Sequence, residues 1–252
     1  MELYLEERQL PFVAQRLLGQ ESNAVDVGAH IGSFLSLVAK QAPKGQHIAF
    51  EPSRGKSEWL KKRFPTVEVI ASAVGDENGT AFFIEDLEKP GFSHLEFKRS
   101  VLSSRQKVRT RAYQVSVRRL DDVLLNRQIN LIKLDIEGGE LLALRGARRT
   151  IEQWQPSIIF ECGPESQFQK TGGSRFAVFE FVTATLGYNI YTFSDFLFKK
   201  GSLNSDEFRK CGLYPFRAFN FVALPKSRDM ATQTDDMTQT INARRRLDFR
   251  GA

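Results

Sequence analysis

Only two of the 252 residues are cysteine, Cys162 and Cys211, and they have neither C-x-x-C spacing nor a nearby histidine partner. That excludes a disulfide framework and speaks against a zinc site, since both need clustered thiol or imidazole groups. No apolar run reaches the roughly 18 residues a membrane-spanning helix requires. The opening residues, Met1 to Arg8, lack the basic and apolar segments of a secretory leader, so the expected location is the cytoplasm. There is also too little chain for two large domains: 252 residues, 41% of them hydrophobic, bury one full core. One absence bears on chemistry. Residues 24–32 read Ala-Val-Asp-Val-Gly-Ala-His-Ile-Gly, without the middle glycine of the dinucleotide fingerprint G-x-G-x-x-G.

What is present there is a short apolar run broken by glycine and followed by a helical pattern from Ser33, the sequence of a buried parallel strand entering a tight turn. Gly28 and Gly32 leave room for a ligand to approach the backbone. A second run, His47 to Phe50, ends in Glu51, where an adjacent strand would end and a carboxylate would meet two ribose hydroxyls. Asp26 would repel a pyrophosphate but suits the ammonium of a cofactor built from methionine and adenosine. S-adenosylmethionine is therefore the expected cofactor, and NAD is disfavoured.

The periodicity predicts an α/β fold in β-α-β-α-β order: strand 24–28, a helix carrying Phe34 to Val38, strand 47–51, a helix over 54–64 and strand 67–72. Before it, residues 1–23 read as an N-terminal helical brace. Residues 24–225 form the main body, interrupted over 75–117 by a β-rich insertion with strands at Ala81–Ile84 and Val108–Val117 and a loop over Glu88–His94. Alternation resumes with a short helix at 120–124, strand 129–135, a helix over 141–147, strand 156–161, a helix over 176–186 and strands at 188–193 and 219–224. Asp121 and Asp122 read as capping and surface residues. The polar stretch 226–252 reads as a mostly disordered basic tail.

The net charge of +6 is concentrated in residues 97–119, which hold eight Lys and Arg and no acid. Within it Arg109, Arg111 and Tyr113 share one face of an extended strand. If that face overlooks the cleft it favours an anionic acceptor; otherwise it is solvated surface. Four carboxylates, Asp26, Glu51, Asp135 and Glu161, fall at strand ends on one rim, with no matching buried lysine expected. That pattern points to a cationic ligand or a proton-handling site.

Together these motifs resemble the FkbM family of S-adenosylmethionine-dependent methyltransferases. The resemblance runs through Val25–Gly32, Phe50-Glu51-Pro52, Ala73–Asp76, Leu131–Glu140, Leu144–Ala147 and Pro156–Glu161. It implies a Rossmann-like class I methyltransferase fold, with a seven-stranded, mostly parallel sheet and a reversed last strand. By position it implies that Asp26, Gly28 and Gly32 line the methionine end of the cofactor, and that Glu51, followed by Pro52, holds the ribose. Ser72, Ala73 and Val74 border the adenine, and Asp135 floors the sulfonium. Glu140 is expected to brace its turn by accepting backbone N–H groups.

Methyl transfer needs an aligned nucleophile and a proton acceptor, for which Asp135, Glu161 and His94 are the candidates. A divalent ion on Asp135 and Glu161 is an alternative, but no full set of ligands is visible, so no metal is assigned. The expected reaction is O-methylation of a hydroxyl on a small molecule or sugar. A nucleic-acid or other anionic substrate, and a non-catalytic cofactor-binding module, are the rival readings. Nucleic acid is disfavoured because strand 129–135 does not end in the proline-rich signature of base N-methyltransferases. Nothing in the sequence selects an oligomeric state.

Overall fold

The computed structural model describes residues 3–88, 93–96 and 109–228. One helix, α1 (Leu3–Leu17), precedes the alternating units β1 (Ala24–Val27), α2 (Ser33–Gln41), β2 (Ile48–Phe50), α3 (Arg54–Arg63) and β3 (Glu68–Ile70). Next come β4 (Ala73–Val74), β5 (Gly79–Asp86), β6 (His94–Glu96) and β7 (Thr110–Arg118). The chain continues through α4 (Leu120–Leu124), β8 (Leu131–Leu134), α5 (Glu140–Gly146), α6 (Arg148–Trp154) and β9 (Ser157–Glu161). It closes with α7 (Arg175–Glu180), β10 (Tyr188–Thr192), α8 (Phe193–Leu197), α9 (Ser205–Cys211) and β11 (Asn220–Pro225).

Seven strands form the main sheet in the order β10-β11-β9-β8-β1-β2-β3. β1 pairs in parallel with β2 and β8, β2 with β3, and β8 with β9, whereas β11 runs antiparallel to both its neighbours. This is the expected seven-stranded sheet with a reversed last strand. Strand order reverses between β1 and β8, so the crevice at their carboxyl ends is where ligands bind in such sheets.

Side-chain alternation divides the core into two layers. Val25, Val27, Ile132, Leu134, Ile158 and Phe160 pack with Leu141, Leu144, Ile151 and Val178 on one face. Ala24, Leu131 and Ile159 pack on the other with Val13 and Ala14 of α1 and Phe34 and Val38 of α2. Asp26 and Lys133, in direct register on β1 and β8, therefore belong to the face that α1 and α2 cover. Glu6 ties α1 to the far edge of that face, taking hydrogen bonds from Phe219 N (3.0 Å), Asn220 N (3.1 Å) and Asn220 Nδ2 (2.8 Å).

The insertion is a separate four-stranded sheet, β4-β7-β5-β6, around Ala73, Ala81, Phe83, Val115 and Val117. It contains two strands more than expected: Ala73–Val74 pairs parallel with Val117–Arg118, and His94–Glu96, which starts at the last residue of the expected loop, pairs antiparallel with Phe82–Ile84. Residues 97–108, the first half of the basic run, lie outside the described residues, as do 229–252 of the expected tail; Lys226–Arg228 form a short 3-10 turn. No helix among the described residues is long and apolar enough to cross a membrane.

Asp121 corrects a second expectation. It is not a surface cap of its own helix but a buried staple, 3% exposed. Its carboxylate accepts from Thr150 N (2.8 Å), Thr150 Oγ1 (2.9 Å) and Arg149 N (3.2 Å), capping α6 from α4 across 29 residues. Asp121→Ala leaves those donors unpaired under the core, at a cost of roughly 2–4 kcal/mol. Urea unfolding of the variant is expected to show that loss as a lower midpoint; an unchanged midpoint would mean water replaces the carboxylate.

Candidate active site

The turn after β1 is shaped by two glycines with positive φ, each for a packing reason. A Cβ on Gly28 (φ 84°) would lie 2.0 Å from the backbone oxygen of Asp135, so this glycine lets the loop after β8 close against the loop after β1. A Cβ on Gly32 (φ 84°) would strike the Phe64 ring at 2.4 Å. Gly32 thus sets the approach of α3 and, unlike Gly28, does not line the cavity described below. Gly28 N and Ala29 N donate to Phe50 O at 3.0 and 3.1 Å, binding the turn to the end of β2. Glu51 completes the tie: Oε2 accepts from His30 N and Oε1 from Ser53 N, both at 2.8 Å. It is 3% exposed, and burial raises its pKa. A carboxylate offers about four lone pairs, so these bonds leave acceptor capacity for a ligand.

Across the switch point the rim is organised by a buried lysine that the sequence reading did not foresee. Lys133 Nζ lies 2.9 Å from Asp135 Oδ2, 3.8 Å from Asp26 Oδ1 and 5.6 Å from the centre of the Phe34 ring. At 3.8 Å the Asp26 contact is an ion pair without a hydrogen bond, and neither Asp26 oxygen has a hydrogen-bond partner among the described residues. Burial raises Asp26 to about 6 against the pull of Lys133. Asp135 moves the other way. Burial alone would raise it, but the Lys133 ammonium and a hydrogen bond from Glu161 hold it below the usual carboxylate range. Glu161, desolvated and facing Asp135 and Glu137, is pushed far up and keeps its proton. The pair therefore consists of an ionised Asp135 and a protonated Glu161.

The loop between β8 and α5 is pinned from several sides. Glu140 Oε1 accepts from Ile136 N (3.1 Å) and Gly138 N (3.4 Å), the expected brace. Thr171 Oγ1 donates to Gly138 O at 2.7 Å. Glu137 is held at φ 53°, a left-handed conformation costly for a residue with a side chain. Its Oε2 accepts from Gln167 Nε2 at 3.1 Å, and burial followed by repulsion from Asp135 raises it to about 7. Asp135, Glu137 and Glu161 each offer an oxygen within 4.8 Å of the others, a donor set that suits a divalent cation and a set the sequence reading did not complete. Just beyond Glu161, the buried Arg175 guanidinium donates to the carbonyls of Cys162, Gly163 and Phe208 and lies 4.7 Å over the Phe208 ring.

Asp26, Glu51, Lys133, Asp135, Glu137 and Glu161 open into a cavity of about 740 Å³. On the β2 and β3 side it is lined by Glu51, Pro52, Ser72, Ala73 and Val74, with Phe83, Ser93 and Leu95 of the insertion. On the β8 and β9 side Asp135, Glu137 and Glu161 face Glu6, Glu7 and Leu10 of α1, with Phe34, Leu37 and Phe193 between. The sequence-expected Asp26 and Gly28 line it at the switch point. His94 lies in β6, but its side chain falls outside the described residues. Arg109 and Arg111 are exposed and do not line the cavity, although Tyr113 stacks edge-on against Phe83, which does. Lys133, Glu137 and the α1 residues are the functional candidates missed from sequence. Only Lys133 carried a signal, the two-residue spacing that sets it on the face of Asp135.

The cavity suits a cofactor with an ammonium, hydroxyls and an adenine. Among the described residues the buried Asp26 carboxylate, Ser72 hydroxyl and His30 Nε2 have no hydrogen-bond partner, and the space is large enough for such a molecule beside an acceptor. Comparison with known proteins agrees. The family model described as "Methyltransferase FkbM domain" matches residues 26–199. "Methyltransferase 1" of Beauveria bassiana (strain ARSEF 2860) is 28% identical over 145 residues, spanning 50% of this chain and 58% of that protein. "Methyltransferase sdnD" of Sordaria araneosa is 25% identical over 174 residues, 54% of this chain and 67% of that protein. The crystal structure of a methyltransferase FkbM from Methylobacillus flagellatus KT is similar with a TM-score of 0.51 and 18% identity, covering 82% of this chain but 44% of that one. At that identity the likeness is one of fold.

The buried acids make stability depend on pH, and Glu140 isolates one term. It is 1% exposed, and burial raises it to about 7 in the folded chain, against roughly 4.3 unfolded. Between those values the folded state binds a proton that the unfolded state does not, so this group's contribution is present at low pH and lost as pH rises through 7. Glu140→Gln keeps the acceptor oxygen but does not titrate. Urea midpoints of the variant should therefore gain on wild type between pH 5 and pH 8; a constant difference would mean Glu140 is ionised throughout.

Proposed function

Since this chain belongs to the methyltransferase FkbM family, whose cofactor is S-adenosylmethionine, we propose that the rim cavity transfers a methyl group to a hydroxyl of a small molecule. The observation that carries this reading is the pairing across the switch point, where a charged Lys133–Asp135 pair lies beside a buried Asp26 whose oxygens lack hydrogen bonds. Asp26, the Gly28 backbone, Glu51, Pro52 and residues 72–74 would hold the cofactor, while Gly32 acts through the packing of α3. When bound, S-adenosylmethionine supplies a methyl carbon made electrophilic by its sulfonium. The chain's own task is to align the hydroxyl and take its proton. Asp135 is kept ionised by Lys133, which also lowers its basicity, so its claim to that proton rests on its charge state and its place on the rim. Glu161 already carries one and is suited to orient Asp135 by donating to it. Glu6, Glu7 and Leu10 of α1 and Phe83, Ser93 and Leu95 of the insertion all line the cavity, so both elements are available to shield it. A cytoplasmic setting belongs to the same reading, supported by two buried cysteines that are free thiols.

Two variants test the assignment. Glu51→Gln, which exchanges one acceptor for a donor, is expected to raise the Kd for S-adenosylhomocysteine by roughly tenfold to a hundredfold in calorimetry. Equal affinity would remove Glu51 from the cofactor site. Asp135→Asn should leave that Kd nearly unchanged and lower kcat about a hundredfold. If activity is instead abolished by EDTA and restored by Mg²⁺, the three-carboxylate set holds a cation and the general-base reading fails.

A further inference from the structure

Resting on the methyl-transfer reading of the cavity, we infer that its β8–β9 half selects an acceptor carrying a protonated amine on an apolar body. Five acid side chains line that half, Glu6, Glu7, Asp135, Glu137 and the protonated Glu161, beside Lys133; the other lysine in the described lining, Lys56, acts on Glu51 and His30 instead. The contrast with the chain's net charge of +6 is local and large. Three of the five are already engaged. Asp135 is paired with Lys133 at 2.9 Å, Glu161 shares a hydrogen bond with Asp135, and Glu6 is occupied by the backbone and amide of β11. Two remain. Glu137 uses Oε2 for Gln167, which leaves Oε1 without a hydrogen bond among the described residues, and Glu7 stands exposed on α1.

The backbone at Glu137 makes this carboxylate more than a leftover. A non-glycine residue at φ 53° is retained only where its surroundings hold it, and here Glu140, Thr171 and Gln167 all clamp the loop that presents it. The same cavity is lined by Leu10, Phe34, Leu37 and Phe193, apolar side chains with no hydrogen-bonding group of their own. An ammonium on an apolar frame satisfies both parts: its donors meet the Glu137 carboxylate while the frame lies against the apolar side chains, and the Glu7 charge at the same mouth adds attraction. A carboxylate or phosphate there would face like charge in a partly desolvated space, with no free cation among the described lining residues of this half. The exposed Arg109 and Arg111 do not line the cavity and supply no counter-charge.

Three probes that share a phenol hydroxyl and differ only in tail charge separate the possibilities: tyramine, tyrosol and 4-hydroxyphenylacetate. Each is offered to the full chain with isotope-labelled S-adenosylmethionine, and binding is read in parallel by saturation-transfer NMR in the presence of S-adenosylhomocysteine. The expected result is tyramine ahead of tyrosol and tyrosol ahead of 4-hydroxyphenylacetate, in turnover or, where no probe is turned over, in binding. Glu137→Gln should raise the KM or Kd for tyramine about tenfold and leave tyrosol unchanged. Its affinity for S-adenosylhomocysteine, unchanged, reports an intact fold. Equal treatment of the three probes, preference for the anion, failure of tyramine to bind at all, or a tyramine preference that survives in the variant each overturns the inference. Loss of S-adenosylhomocysteine binding by the wild-type chain would instead sink the methyl-transfer reading on which it rests.

Discussion

A lysine ammonium buried between two strand-end carboxylates sets the charge order of the whole rim. Lys133 projects from β8 into the layer under α1 and α2, where a lone cation would be costly to desolvate, and Asp135 and Asp26 supply the anions that keep it charged. The consequence spreads along the neighbouring strands. Because Asp135 is held ionised, Glu161 beside it must keep its proton, and Glu137 and Glu140 are pushed up in turn by burial and by the same negative centre. Removing Lys133 would therefore alter five titrating groups, not one pair.

The position of that lysine follows from topology. β1 and β8 are neighbours only because the strand order turns back at β1, and their register sets Asp26 directly opposite Lys133. The first half of the sheet, β1 to β3, then carries Glu51 and Ser72 away on one side, while β8 and β9 carry Asp135 and Glu161 away on the other. In the proposed reading, cofactor and acceptor would then occupy different halves by the order of strands. Phe83, Ser93 and Leu95 of the insertion and Glu6, Glu7 and Leu10 of α1 all contribute to the cavity lining.

Much of the fold was legible because buried parallel strands appear as short apolar runs between helical periods, which is how β1, β2, β8 and β9 were found. Five elements were not. β4 and β6 are edge strands of two and three residues, too short to show alternation, and α6 (Arg148–Trp154) offers only Ile151 and Trp154 as large apolar residues, too few to show a helical period. α8 was read as the end of β10 because Phe193 continues its aromatic pattern; the helix starts there because Thr192 Oγ1 caps Asp195 N at 3.0 Å. α9 did carry a sequence signal, the Asn204-x-x-Glu207 capping box, that the apolar pattern hid. In the site, carboxylates at strand ends were legible by position, whereas Lys133 looked like a solvated strand residue. Gly32 was misread for a related reason: a glycine that spares a ligand and one that spares the ring of Phe64 look the same in sequence.

The bonds from Glu6 to Phe219 and Asn220 join positions more than two hundred residues apart, and they bear on the order of assembly. Strands β1 to β3 follow one another closely in the chain, whereas the face walled by α1 needs that helix fixed against Phe219 and Asn220 at the entry to β11. During synthesis α1 is made well before the segment it docks on, so the Glu6 side of the cavity can be fixed only after β11 has emerged.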